Sequence, residues 1–177
     1  MKYSVFSKTG TDHESENKEN EDAGRIVVNG DYVFSIISDG AGCSDYAKVA
    51  ALTTVECTAR FCFDKGTGFF DIEKRDAIAF DLVCSIQKGL NEKAKALNTE
   101  LENMPSTLVL LCLDTSKKEY VTIHIGDGLV CKISGENTEI VSLPENGAIK
   151  KQTYMVNSLD VMKHLRVKRG EYTDNSM

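Results

Sequence analysis

The sequence predicts an α+β fold, with β-sheets in layers and helices on the outside. Three observations point there. The order of elements is strands, two long helices, then strands again. Residues 32–38 and 106–114 are nearly continuous apolar runs, the pattern of central strands covered on both faces. Ile78, Leu82, Ile86, Leu90, Ala94 and Leu97 recur at spacings of four or three, an amphipathic helical stripe whose natural use is core packing.

Taken in order, Lys2 to Lys8 alternates as a short strand around Tyr3 and Val5, and residues 9–20 form a polar loop. Arg25–Val28 and Asp31–Ser38 flank Asn29-Gly30, a strong hairpin signal. Ser44 is placed to cap a helix carrying Ala47, Ala50, Ala51, Val55 and Ala59 on a small-residue face. Gly66-Thr67-Gly68 breaks that pattern, and a second helix is expected from about Asp71 to Leu97. Strands follow at Ser106–Asp114, Glu119–Ile125, Leu129–Ile133 and Thr138–Leu143. In Glu119–Ile125 the alternation sets Val121, Ile123 and Ile125 against Tyr120, Thr122 and His124. Later strands are expected at 152–156 and 165–168, with helical character at 159–164 between them. No repeat or linker divides the chain, so residues 1–177 read as a single domain.

Composition narrows the function. A net charge of −6 argues against a nucleic-acid face, and a phosphorylated substrate would need a local cation. No apolar run approaches 18 residues, so no membrane partner is expected. The six cysteines lack any Cys-x-x-Cys spacing and mostly lie in apolar runs, which suits reduced, buried thiols in a cytoplasmic protein. Cys43, in a glycine turn, is the expected exception.

The chemistry concentrates in acids at turns. Asp39 leaves an apolar strand directly before Gly40, and a carboxylate beside an accessible backbone carbonyl suits Mg²⁺ or Mn²⁺. Asp-Gly alone is equally an ordinary turn. The hairpin favours the first, because it returns Asp39 to the same open end as Glu21 and Asp22, and the turn reading stays open. Like charges brought that close are costly unless a cation compensates them. Asp127, in Gly126-Asp127-Gly128, either joins this group or caps its own turn. His13 lies in the polar loop, and Ser106 and Thr107 read first as strand-start hydroxyls.

Asn20-Glu21-Asp22-Ala23, Ser38-Asp39-Gly40-Ala41-Gly42, Pro105-Ser106-Thr107 and Ile125-Gly126-Asp127-Gly128 occur in this order along the chain. Together they resemble the successive signatures of the metal-dependent PPM, or type 2C, protein phosphatases. The Pro144-Glu145-Asn146-Gly147 turn and Thr153 to Ser158 resemble a bacterial branch of that family. The resemblance implies a four-layer α/β/β/α sandwich of two antiparallel sheets flanked by helices. It also implies a Mg²⁺ or Mn²⁺ site of two ions, and hydrolysis of phosphoserine or phosphothreonine by a metal-activated water. Asp39 would then bridge the metals, Gly40 offer its carbonyl, and Glu21 and Asp22 form the first acidic pair. Asp127 would reach metal-bound water, and His13 would serve as proton donor or phosphate contact. The implied partners are a phosphorylated protein and a cognate Ser/Thr kinase, in a signalling setting.

The sequence also departs from the family pattern. Asn17 and Lys18 stand where an arginine is usual, and Cys43 replaces a glycine. No residue matches the aspartates of a further C-terminal strand and helices, which the domain is expected to lack. A non-catalytic binding module of the same fold is therefore the alternative reading.

Overall fold

The computed structural model describes residues 2–11, 19–145 and 153–173 of the chain. Strands β1 (Asp22–Asn29) and β2 (Tyr32–Asp39) form the expected hairpin. Helices α1 (Ala47–Lys65) and α2 (Arg75–Ala96) follow, joined by a 3₁₀ turn at Gly66–Phe70. Then come β3 (Leu108–Asp114), β4 (Glu119–Ile125), β5 (Val130–Ser134), β6 (Asn137–Ser142) and β7 (Arg166–Glu171). A five-stranded antiparallel sheet runs in the order β1-β2-β3-β4-β7, and β5-β6 make a second, two-stranded antiparallel sheet. The expected two sheets and helices are present. Among the described residues both long helices cover one face of the large sheet.

The pattern of side chains explains the layering. Phe34, Ile36, Leu110, Cys112, Val121 and Ile123 point to the helical side and meet Ala50, Ala51, Val55, Leu82, Ile86 and Leu90 in one cluster. The small residues of α1 let that helix lie close to β1 and β2. On the other face Val33, Leu113, Tyr120 and Tyr172 form a second cluster, with Val141 of β6 packed against it. Both faces of β4 are therefore buried. The alternation in Glu119–Ile125 marks two apolar interfaces, and His124 and Thr122 are fully enclosed. His124 Nδ1 lies 2.7 Å from Ser142 Oγ, a hydrogen bond that ties the two sheets.

Several expected elements differ. Lys2–Lys8 forms no strand: among the described residues no neighbouring strand supplies a ladder to its backbone, and its apolar side chains stay exposed, Phe6 by 87%. The described part of 152–156 forms no strand either. The stretch 159–164 contains only a 3₁₀ turn at Val161–Lys163, and the last strand extends further than expected, to Glu171. Helix α1 starts after Ser44, whose Oγ accepts from Tyr46 N (3.0 Å) in a preceding turn. Likewise Asp71 Oδ1 accepts from Glu73 N (3.1 Å) in a turn before α2. The cysteines also divide: Cys62 and Cys112 are buried, Cys57 is intermediate, and Cys84 and Cys131 are exposed like Cys43, all six free. Cys84 and Cys131 sit on outward faces of amphipathic elements, which a local apolar run does not reveal.

Candidate active site

The β1-β2 register sets Asp22 directly opposite Asp39 at the open end of the hairpin. Glu21 stays with them, since Gly40 N donates to Glu21 O (3.3 Å). The backbone around Asp39 is fixed from the β3 side. Asp39 N donates to Thr107 Oγ1 (2.9 Å), Thr107 N to Asp39 O (2.9 Å), and Ser38 Oγ to Thr107 O (2.6 Å). Gly40 is required by packing: a Cβ there would lie 2.1 Å from the Ala47 carbonyl oxygen, so α1 begins in contact with this turn.

Partial desolvation is the first cause that pushes the Asp39 carboxyl up, to about 6, even though its side chain remains open to a cleft. The Asp22 carboxyl is the second, by its charge and a direct hydrogen bond, and Asp127 and Glu21 add to the effect. A carboxyl so placed is harder to ionise than a free one, and a cation beside it would offset that cost.

Two clefts meet at this pair. One, of about 330 Å³, is lined by Lys8–Thr11, Asn20, Glu21, Asp22 and Asp39. The other, of about 480 Å³, runs from the same carboxylates between residues 5–8 and the Asp127-Gly128 turn, over Gly24, Ile37 and Val109. Lys8 is the basic residue among the described lining of both clefts.

Of the residues singled out by sequence, Glu21, Asp22, Asp39 and Gly40 come together, and Asp127 lines the second cleft. Asp127 Oδ2 accepts from Thr153 Oγ1 (3.0 Å), so its turn is pinned to the later chain. His13 lies outside the described residues, as do Asn17 and Lys18. Thr107 does more than begin a strand, because its hydroxyl positions Asp39. Ser106 is structural: its Oγ is buried 2.8 Å from Thr54 Oγ1.

Three contributors were missed. Ser7 Oγ donates to Asp22 Oδ2 (3.3 Å), Asn20 Oδ1 accepts from Asp22 N (2.8 Å), and Lys8 lines both clefts with the acids. Asn20 could have been noticed as the head of the acidic motif. Ser7 and Lys8 carry no local signal.

Among the described residues no three Asp, Glu, His or Cys side chains are arranged to enclose a metal ion. Mg²⁺ keeps most of its waters and needs only one or two protein carboxylates. Asp22 and Asp39 meet that requirement in donor chemistry, and their enforced proximity is the electrostatic condition a divalent ion relieves.

The protein phosphatase 2C family model matches residues 9–176, and the chain belongs to that family. Serine/threonine phosphatase Stp1 from Staphylococcus aureus superposes with a TM-score of 0.67 at 18% identity, over 93% of this chain and 69% of that one. A bacterial serine phosphatase gives 0.65 at 15% identity, over 87% and 68%. A stage II sporulation E family protein from Thermanaerovibrio acidaminovorans gives 0.60 at 14%, over 85% and 73%. At these identities the likeness is one of fold. The chain spans about two thirds of the length of such structures, 65% in one further serine phosphatase. No curated protein matches by sequence. No helix among the described residues is long and apolar enough to cross a membrane.

Proposed function

We propose that this chain is the core of a metal-dependent phosphatase acting on phosphoserine or phosphothreonine in proteins. One observation carries the reading: Asp22 and Asp39 are directly paired across β1-β2, with Glu21 beside them, in a family whose fold the chain has. Asp22, Asp39 and the Gly40 carbonyl would hold Mg²⁺ or Mn²⁺, with Glu21 and Asp127 positioned to bind its waters. What such a cation supplies is Lewis-acid charge against phosphoryl oxygens and a more acidic water.

The chain's own residues do the rest. Thr107 holds the Asp39 backbone, Ser7 orients Asp22, and Lys8 offers the positive charge a phosphate needs among so many acids. In the overall reaction water oxygen replaces the seryl or threonyl oxygen on phosphorus, and the released proton ends on the departing hydroxyl. A phosphorylated protein and an opposing Ser/Thr kinase are the partners implied, in the cytoplasm.

The test is hydrolysis of a phosphothreonine peptide with Mn²⁺, compared with Asp39→Asn. Activity that depends on Mn²⁺ and is lost in the variant supports the reading; a chain inert with Mn²⁺ rejects it.

The lack of a three-ligand cluster among the described residues favours one alternative, a binding module without catalysis. That reading expects no Mn²⁺ binding by calorimetry, and an affinity that disappears in Asp39→Asn excludes it.

A further inference from the structure

We infer that the second cleft is a side-chain subsite, and that the phosphatase favours phosphopeptides with a large apolar residue next to the phosphorylated one. The inference rests on the phosphatase reading and concerns which substrate that site takes.

The floor of the cleft is unusual for a sheet interior. Ile37 lies on β2, an inner strand paired on both sides, yet it is 44% exposed. Its partner across β1 is Gly24, which has no side chain to cover it. The residue-5 side chain occupies that gap: a Cβ on Gly24 would stand 2.6 Å from Val5 Cγ1, so the extended segment is seated by the missing methyl. Phe6, the next residue, is 87% exposed at the wall of the cleft. Val109, paired with Ile37 across β3, continues the floor toward the Asp127-Gly128 turn.

A trough of about 480 Å³ with an apolar floor is thus continuous with Asp22 and Asp39. Lys8, on the same short segment as Phe6, lines the acidic end, where it and a bound cation would together favour the phosphate. A phosphorylated hydroxyl-bearing residue at the carboxylates leaves its neighbour over Ile37 and beside Phe6. Covering these side chains removes apolar surface from water, at about 25 cal/mol per Å². A leucine in place of alanine at the neighbouring position would therefore gain roughly tenfold in kcat/KM, the scale of a small apolar difference in a pocket.

The experiment uses the full chain with Mn²⁺ and two phosphothreonine peptides that differ only in Leu or Ala beside the phosphothreonine. The readout is the Leu/Ala ratio of kcat/KM within each protein, which is independent of folded fraction. The expected ratio is about ten in the wild type, falling toward one in Phe6→Ala and in Ile37→Ser. It should be retained in Val28→Ala, a substitution at an exposed apolar residue away from the cleft. A wild-type ratio near one, or a ratio that survives both cleft substitutions, overturns the subsite. Hydrolysis of p-nitrophenyl phosphate by the wild type separates the two levels. If it proceeds while the ratio is one, only the subsite fails. If neither it nor either peptide is hydrolysed, the phosphatase reading fails and takes the subsite with it.

Discussion

Asp22 and Asp39 occupy directly opposed positions at the mouth of the β1-β2 hairpin, and the Asp22 carboxyl helps hold the Asp39 carboxyl above its ordinary value. Two acids held there by strand register cannot move apart without breaking the ladder. Their repulsion is built into the fold, and a divalent cation is one ligand that would relieve it.

Asp39→Asn removes that repulsion. Like charges directly opposed across strands destabilise by up to about 1 kcal/mol. Without metal the variant is expected to melt about 2–4 °C higher at pH 7.5, while losing both Mn²⁺-dependent stabilisation and hydrolysis. Differential scanning fluorimetry with and without Mn²⁺ checks both halves.

Thr107→Val deletes the hydroxyl that accepts from Asp39 N and keeps the side-chain shape. The stranded amide costs about 1–3 kcal/mol, and Mn²⁺ affinity falls with it, because Asp39 loses its anchor. Thr107→Ser restores the acceptor and most of the affinity, as measured by calorimetry.

Gly40→Ala forces a methyl into the backbone at the start of α1, with Ala47 O only 2.1 Å from the new carbon. Backbone cannot give way as a flexible side chain can. A loss of about 3 kcal/mol or more is expected, read as a lower urea midpoint.

His124 gives the pH dependence. Desolvation, followed by the nearby Arg166 guanidinium, pushes it down from 6.5 to about 4, against the opposing pull of Asp127 and Glu145. The folded protein therefore keeps His124 neutral where the unfolded chain takes up a proton. Stability from this group is complete above about 6.5 and is lost as pH falls toward 4. Asp39 slopes the other way: its raised carboxyl makes the folded state the better proton acceptor between 3.8 and about 6. Denaturation series in Asp39→Asn remove that opposing slope. His124→Gln in that background is expected to flatten the curve between pH 6.5 and 4.

Much of this arrangement was legible in the sequence because it is carried by short-range patterns. The hairpin followed from Asn29-Gly30 between apolar runs, and hairpin geometry alone brought Asp22 to Asp39. The helical stripe of α2 gave its buried face. What escaped depends on contacts between distant segments. Ser7 reaches Asp22 from a stretch whose alternation of Tyr3 and Val5 reads as a strand, and only the absence of a pairing partner tells otherwise. Thr107 looks like any hydroxyl at a strand start until Asp39 is seen beside it. His124 sits in a clean two-residue alternation that suggests a wet face, and the second sheet covers it. Gly24 carried no message in the chain, since its role lies in what the residue-5 side chain does above it.

The contact from Ser7 to Asp22 joins the exposed beginning of the described chain to the acidic centre. Whatever fills that centre thereby tightens its leash on the leading residues. Occupancy should be readable as slower trimming by an exopeptidase or by trypsin at Lys8.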